Sequence, residues 1–257
     1  MADALRAEWT KLRTLASTYW LLLAAAVLTV GVSCAVVATS SYQVGGYQDT
    51  PKLSLAGIYL GQAVVAVLAV SIMGNEYSTG MMSITLTAIP RRFVLLGAKA
   101  ATLTGLVLVA GVIAVGGSLL AGRMILPGNG FTLVHGYQLV SLSHGPTVRA
   151  ATGSVLYLVL IALLSLGVAT AVRESAAAIG LVLGLLYLFP VLAQLVSDHA
   201  WRRHLEQIAP MTAGLAIQAT TNLQSLPVSP WAGLGVLAAW SAGALLIGGL
   251  LLKLKDA

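Results

Sequence analysis

The chain has 257 residues, 58% of them apolar and only 9% charged, with a mean hydropathy of +0.91. Ordinary globular proteins carry about 25% charged residues, so this composition excludes a soluble domain and points to a lipid bilayer. The net charge of +6 comes from 14 Lys and Arg scattered without aromatic interleaving, which argues against a nucleic-acid partner, and the single cysteine, Cys34, excludes a disulfide framework or a multi-cysteine metal site.

The first 18 residues read as an amphipathic helix. Leu5, Trp9, Leu12 and Ala16 recur at helical spacing, while Arg6, Thr10 and Arg13 fall on another side. Such an element lies along a membrane surface, with Trp9 at headgroup depth and Lys11 and Arg13 facing anionic lipid, so these three residues are expected to be interface anchors. The apolar run that follows exceeds a signal-peptide core and lacks a small-x-small cleavage pattern, so it reads as a span, with Cys34 as a small apolar filler.

A spanning helix needs about 20 mainly apolar residues, and six such stretches occur: Tyr19 to Thr39, Leu55 to Gly74, Phe93 to Gly122, Ala151 to Val172, Ser175 to Ser197, and Trp231 to Leu252. The fold class expected is therefore all-α, a single polytopic domain over residues 1–257. With the N-terminus inside, Arg6, Lys11, Arg13, Arg91, Arg92, Lys99, Arg173, Lys253 and Lys255 lie inside, against Lys52, Arg123, Arg149, Arg202 and Arg203 outside. Because cytoplasmic loops collect Lys and Arg, both termini are expected to be cytoplasmic.

Between the second and third spans, residues 75–92 carry the most information. On a helix, Tyr77, Met81, Ile84 and Ala88 share one side and Glu76, Gly80, Ser83 and Thr87 another, until Pro90 stops it ahead of Arg91 and Arg92. About 13 residues rise only some 20 Å, too short to cross a bilayer. The expectation is a rigid surface helix, either a plain connector or a docking edge for a cytoplasmic partner.

The spans themselves are poor in ionisable residues. Lys99 lies near an inner end, where its stem could reach the interface, and Gln62 and Gln194 do not titrate. That pattern disfavours proton or sodium coupling, which leaves ionisable groups inside the bundle. Enzyme chemistry fares no better: none of His135, His144, His199 or His204 belongs to a His-Glu-x-x-His pattern, and no lysine is followed by Ser or Thr as in a phosphate-binding P-loop. The chain carries no ATP-binding residues, no metal site and no catalytic set of its own.

Several local runs resemble the type-2 ATP-binding-cassette (ABC) permeases, in particular an actinobacterial group. They are Glu8-Trp9-Thr10-Lys11-Leu12-Arg13-Thr14-Leu15, then Glu76-Tyr77-Ser78-Thr79-Gly80-Met81 with Pro90-Arg91-Arg92 and Lys99, then Arg173-Glu174-Ser175, Pro190 interrupting the fifth span, and Ala209-Pro210. The resemblance implies a permease subunit of an ATP-driven exporter of hydrophobic or amphipathic substrates in the bacterial cytoplasmic membrane. It also implies two copies of a separate ATPase subunit that bind ATP and Mg, and a second, identical permease subunit. The segment beginning near Glu76 would be the coupling helix, with Glu76, Tyr77, Ser78, Thr79, Met81, Arg91 and Arg92 docking the ATPase and Arg173 and Glu174 making a smaller contact. Residues 198–230 would form an outer re-entrant segment. The reading from a different class is a non-transporting membrane scaffold or sensor that holds a cytoplasmic partner through the same helix.

Overall fold

In a medium without water every backbone amide must be satisfied within the chain, and a helix does this locally. The computed structural model, which describes residues 2–14, 16–43, 47–82, 92–137 and 139–255, accordingly has six helices long and apolar enough to cross a membrane. In chain order the α-helices are α1 (Ala2–Thr14), α2 (Ala16–Thr39), α3 (Thr50–Ser54), α4 (Ile58–Ser78), α5 (Arg92–Ile125), α6 (Gly145–Val172), α7 (Ser175–Leu195), α8 (His199–Ile208), α9 (Pro210–Leu215) and α10 (Pro230–Lys255). The six spans are α2, α4, α5, α6, α7 and α10. Ala16, grouped by its spacing with the amphipathic helix, opens α2 instead.

Packing centres on α6, which touches α4, α5, α7 and α10 and supplies the fully buried Tyr157, Ile161 and Leu166. Lipid tails are as apolar as Leu, so helices in a membrane associate by close backbone approach at small residues. Gly167 of α6 meets the backbone of Ala244 and Leu245 on α10, and Gly248 of α10 in turn meets the carbonyl of Gly167. Ser241 fastens the same pair by donating to the Leu160 carbonyl at 2.8 Å.

Polar ties hold the far end of the bundle, away from the termini. Asp49 caps α3 through the Lys52 amide, and its carboxylate accepts from the amide and hydroxyl of both Thr220 and Thr221. Arg149 donates to the Ala219 carbonyl at 2.6 Å. Together they anchor the segment 210–219, which is buried against α6 and α10. Deeper in the bundle, Tyr157 donates to Gln62, and Gln62 reaches Met211 Sδ at 3.3 Å.

Two expectations about local structure are corrected. Pro190 lies inside α7 without ending it, since the helix continues to Leu195. The helix containing Glu76, Tyr77 and Ser78 is the second span itself: α4 runs through Ser78 and stops where Gly80 takes φ +70°, a left-handed conformation that glycine adopts without a Cβ clash. Met81 and Met82 are helical again beyond this break. Residues 83–91, with Arg91 and most of the stretch expected to form the surface helix, lie outside the described residues.

Candidate functional site

At the end of the bundle that carries both termini, α1 is pinned to the spans by a charge cluster. Glu8 projects from α1, Glu76 from the last turns of α4 and Lys99 from the third turn of α5; they are 2%, 6% and 1% exposed. Lys99 Nζ donates to Glu8 Oε2 at 2.9 Å and to Glu76 Oε1 at 2.7 Å. Lys11, one helical turn after Glu8, donates to the same Glu76 oxygen at 2.6 Å and lies 3.8 Å from Glu8 Oε1.

Two carboxylates and two ammonium groups therefore cancel. A buried ion is tolerable only when paired and hydrogen-bonded, because desolvation otherwise costs several kcal/mol. The arrangement is a three-way joint in which α1, α4 and α5 each contribute a charge that the other two need.

This geometry revises what the sequence suggested for several residues. Lys99 does not extend its stem to the interface: its side chain is fully buried between the two carboxylates. Of the expected anchors, Trp9 and Arg13 are exposed, whereas Lys11 turns inward, its side chain 31% exposed. Among the expected docking residues, Glu76 faces the cluster and offers no free surface. Asn75, Ser78, Thr79, Gly80 and Met81 are exposed beside it, Met81 to 43%. The hydroxyls of Ser78 and Thr79 both bond the Asn75 carbonyl, which fixes the shape of this helix end.

The arginines expected to dock complete the same end of the bundle. Arg92 donates to the carbonyls of Leu252 (2.6 Å) and Lys253 (2.8 Å), and Arg173 to that of Leu251 (3.1 Å), so two guanidinium groups meet the last turns of α10, where the helix dipole favours cations. Arg173 also sits 5.6 Å over the Tyr77 ring, and it ends α6 in a left-handed conformation with φ 66°. The next residue, Glu174, caps α7, and the amides of Ala177 and Ala176 hold its carboxyl below the ordinary carboxylate range. A depressed pKa means that this cap is fully formed above the ordinary carboxylate pKa and is lost only as pH falls through the folded value.

Glu8 is the member of the cluster that composition and spacing did not single out. The signal was present in the chain: a lone lysine inside the third span needs an acidic partner, and Glu8 and Glu76 are two of the acids that fall at the same end. Among the described residues, no group of three or more His, Cys, Asp or Glu is placed to hold a metal.

Six spans and a surface helix locked to them by buried charge define a multi-pass membrane protein. The family model of the ABC-2 family transporter protein matches residues 4–191, which include most of α1, the whole charge cluster and most of α7. The chain belongs to this family and is a permease subunit of an ABC transporter, a membrane subunit that works with a separate ABC ATPase subunit. No match was found among curated proteins.

Proposed function

We propose that this subunit exports a hydrophobic or amphipathic substrate across the bacterial cytoplasmic membrane, driven by two ATPase subunits that bind ATP and Mg. The termini and the charge cluster face the cytoplasm, in keeping with the basic residues Arg6, Arg13, Arg92, Arg173 and Lys253 at that end. A second, identical permease completes the complex. The exposed edge Ser78, Thr79 and Met81 receives the ATPase together with Arg91 and Arg92, with Tyr77, Arg173 and Glu174 bracing it.

The observation that carries this reading is the Glu8–Lys99–Glu76 joint. A push on the edge at Ser78 to Met81 acts two residues from Glu76, and the shared ion pairs pass it to α1 and α5 together. ATP-driven closure of two ATPase subunits would then rock the paired permeases and release substrate outward. Spans lined by Leu, Val, Ala and Gly suit an apolar substrate better than a highly charged one.

Affinity purification of the full chain in mild detergent tests the docking. An ATPase subunit is expected to copurify with the native chain, and Met81→Glu is expected to weaken its retention by about 30-fold, the scale of losing an interface residue worth about 2 kcal/mol. Retention equal to native would overturn the docking edge. A copurifying partner without nucleotide-binding residues would favour the scaffold reading.

A further inference from the structure

Three loops converge on a cavity of about 340 Å³ at the end of the bundle opposite the termini. They are residues 47–49 ahead of α3, the segment ahead of α6 that carries Tyr137 and His144, and Thr220 with Thr221 ahead of α10. The volume falls within the range of about 300–1,000 Å³ usual for small-molecule sites. Tyr47 and Tyr137, with ring centroids 5.9 Å apart, form an aromatic wall beside Gln48 and Asp49. Tyr47 and His144 are exposed, so the cavity opens at the surface.

The walls are fixed before anything enters. Asp49 accepts the amides of Lys52, Thr220 and Thr221 and the hydroxyls of both threonines. The Gln48 amide donates to the Tyr137 hydroxyl at 3.2 Å, and the buried Tyr137 ring meets Phe131 edge-on. A prebuilt site loses little freedom on binding. Against this satisfied frame one atom stands out: Gln48 Oε1 is buried and accepts no hydrogen bond among the described residues. A buried acceptor left without a donor is costly, and a ligand that supplies one removes the penalty.

We infer that this cavity binds a small organic amine in its protonated form, its N–H on Gln48 and its apolar body against the tyrosines. Charge selects the cation: Asp49 supplies the only carboxylate, and the described lining holds no Lys or Arg. A carboxylate has about four lone-pair sites, and those of Asp49 are already taken. Its charge therefore acts on the cavity through space, while the direct bond falls to Gln48. The aromatic wall favours the same ligand, since ring faces attract cations. A quaternary ammonium would bring charge but no N–H for Gln48. The site is separate from the docking edge and does not depend on the direction of transport.

Three probes with one ring and different charges test this without touching the fold: benzylamine, benzyl alcohol and benzoate. Each is titrated calorimetrically into the full chain in mild detergent at neutral pH. Benzylamine is expected to saturate at one per chain, benzyl alcohol to bind at least about tenfold more weakly for want of a charge-assisted hydrogen bond, and benzoate to show no saturable heat. Gln48→Leu, which replaces the unpaired acceptor by an apolar group of similar size, is expected to weaken benzylamine about tenfold. Without ligand, the same variant is expected to unfold at the native temperature or above it. Tyr47→Ala, at an exposed position, is expected to weaken benzylamine as well. Equal affinity for the three probes, or equal benzylamine affinity in native, Gln48→Leu and Tyr47→Ala chains, would overturn the site. A Gln48→Leu chain that unfolds well below native would also overturn it, by showing that the amide oxygen already serves the fold.

Discussion

Replacing Lys99 by methionine is expected to destabilise the protein by about 3–5 kcal/mol, the usual consequence of deleting one partner of a buried ion pair. The methionine fills much of the lysine stem's volume, so the effect is electrostatic. Glu8 and Glu76 remain buried with only the partly exposed Lys11 between them. Restoring charge balance should recover much of the loss: Glu8→Gln with Lys99→Met leaves Glu76 paired with Lys11, and this double variant is expected to be more stable than Lys99→Met alone. Thermal unfolding in one detergent, compared across the native chain and both variants, checks this. A Lys99→Met chain within about 0.5 kcal/mol of native would place it with ordinary surface substitutions and mean that the cluster carries no net stability.

The second large effect is expected at Gly167, where α6 and α10 come closest. A methyl group there would lie 2.5 Å from the Ala244 carbonyl carbon and the Leu245 amide nitrogen. Backbone on both sides leaves no flexible side chain to yield, so Gly167→Ala is expected to cost about 1–3 kcal/mol or more through overpacking. At Gly105, an exposed position of α5 where an added Cβ meets nothing within 4 Å, the same substitution is expected to stabilise by up to about 1 kcal/mol through helix propensity. Opposite signs for one substitution in two spans separate close packing from propensity, and paired thermal unfolding measurements read both.

The spans were the most legible part of this protein because hydropathy and length specify them almost without reference to tertiary structure. The remaining difference at the end of the second span follows from backbone geometry, which periodicity does not register: α4 reaches Ser78 because Gly80 supplies the left-handed turn. The segment at Glu76 was legible as important but not in its orientation. A helical wheel places Glu76 on a face without saying whether that face meets solvent, and the answer depended on Lys99, more than twenty residues away. Glu8 was legible only in partnership, since its role exists where α1 folds back onto α5.

On this proposal the Glu8–Lys99–Glu76 joint transmits motion between the docking edge and the spans of the permease. The most direct measurement is substrate-stimulated ATP hydrolysis by the copurified complex in lipid vesicles, with the native chain and with the charge-balanced double variant Glu8→Gln, Lys99→Met. The double variant is expected to retain its ATPase subunit while stimulation falls about tenfold, within the range of a coupling energy of about 1–3 kcal/mol. Stimulation equal to native, with α1 no longer tied to α5 by charge, would contradict it.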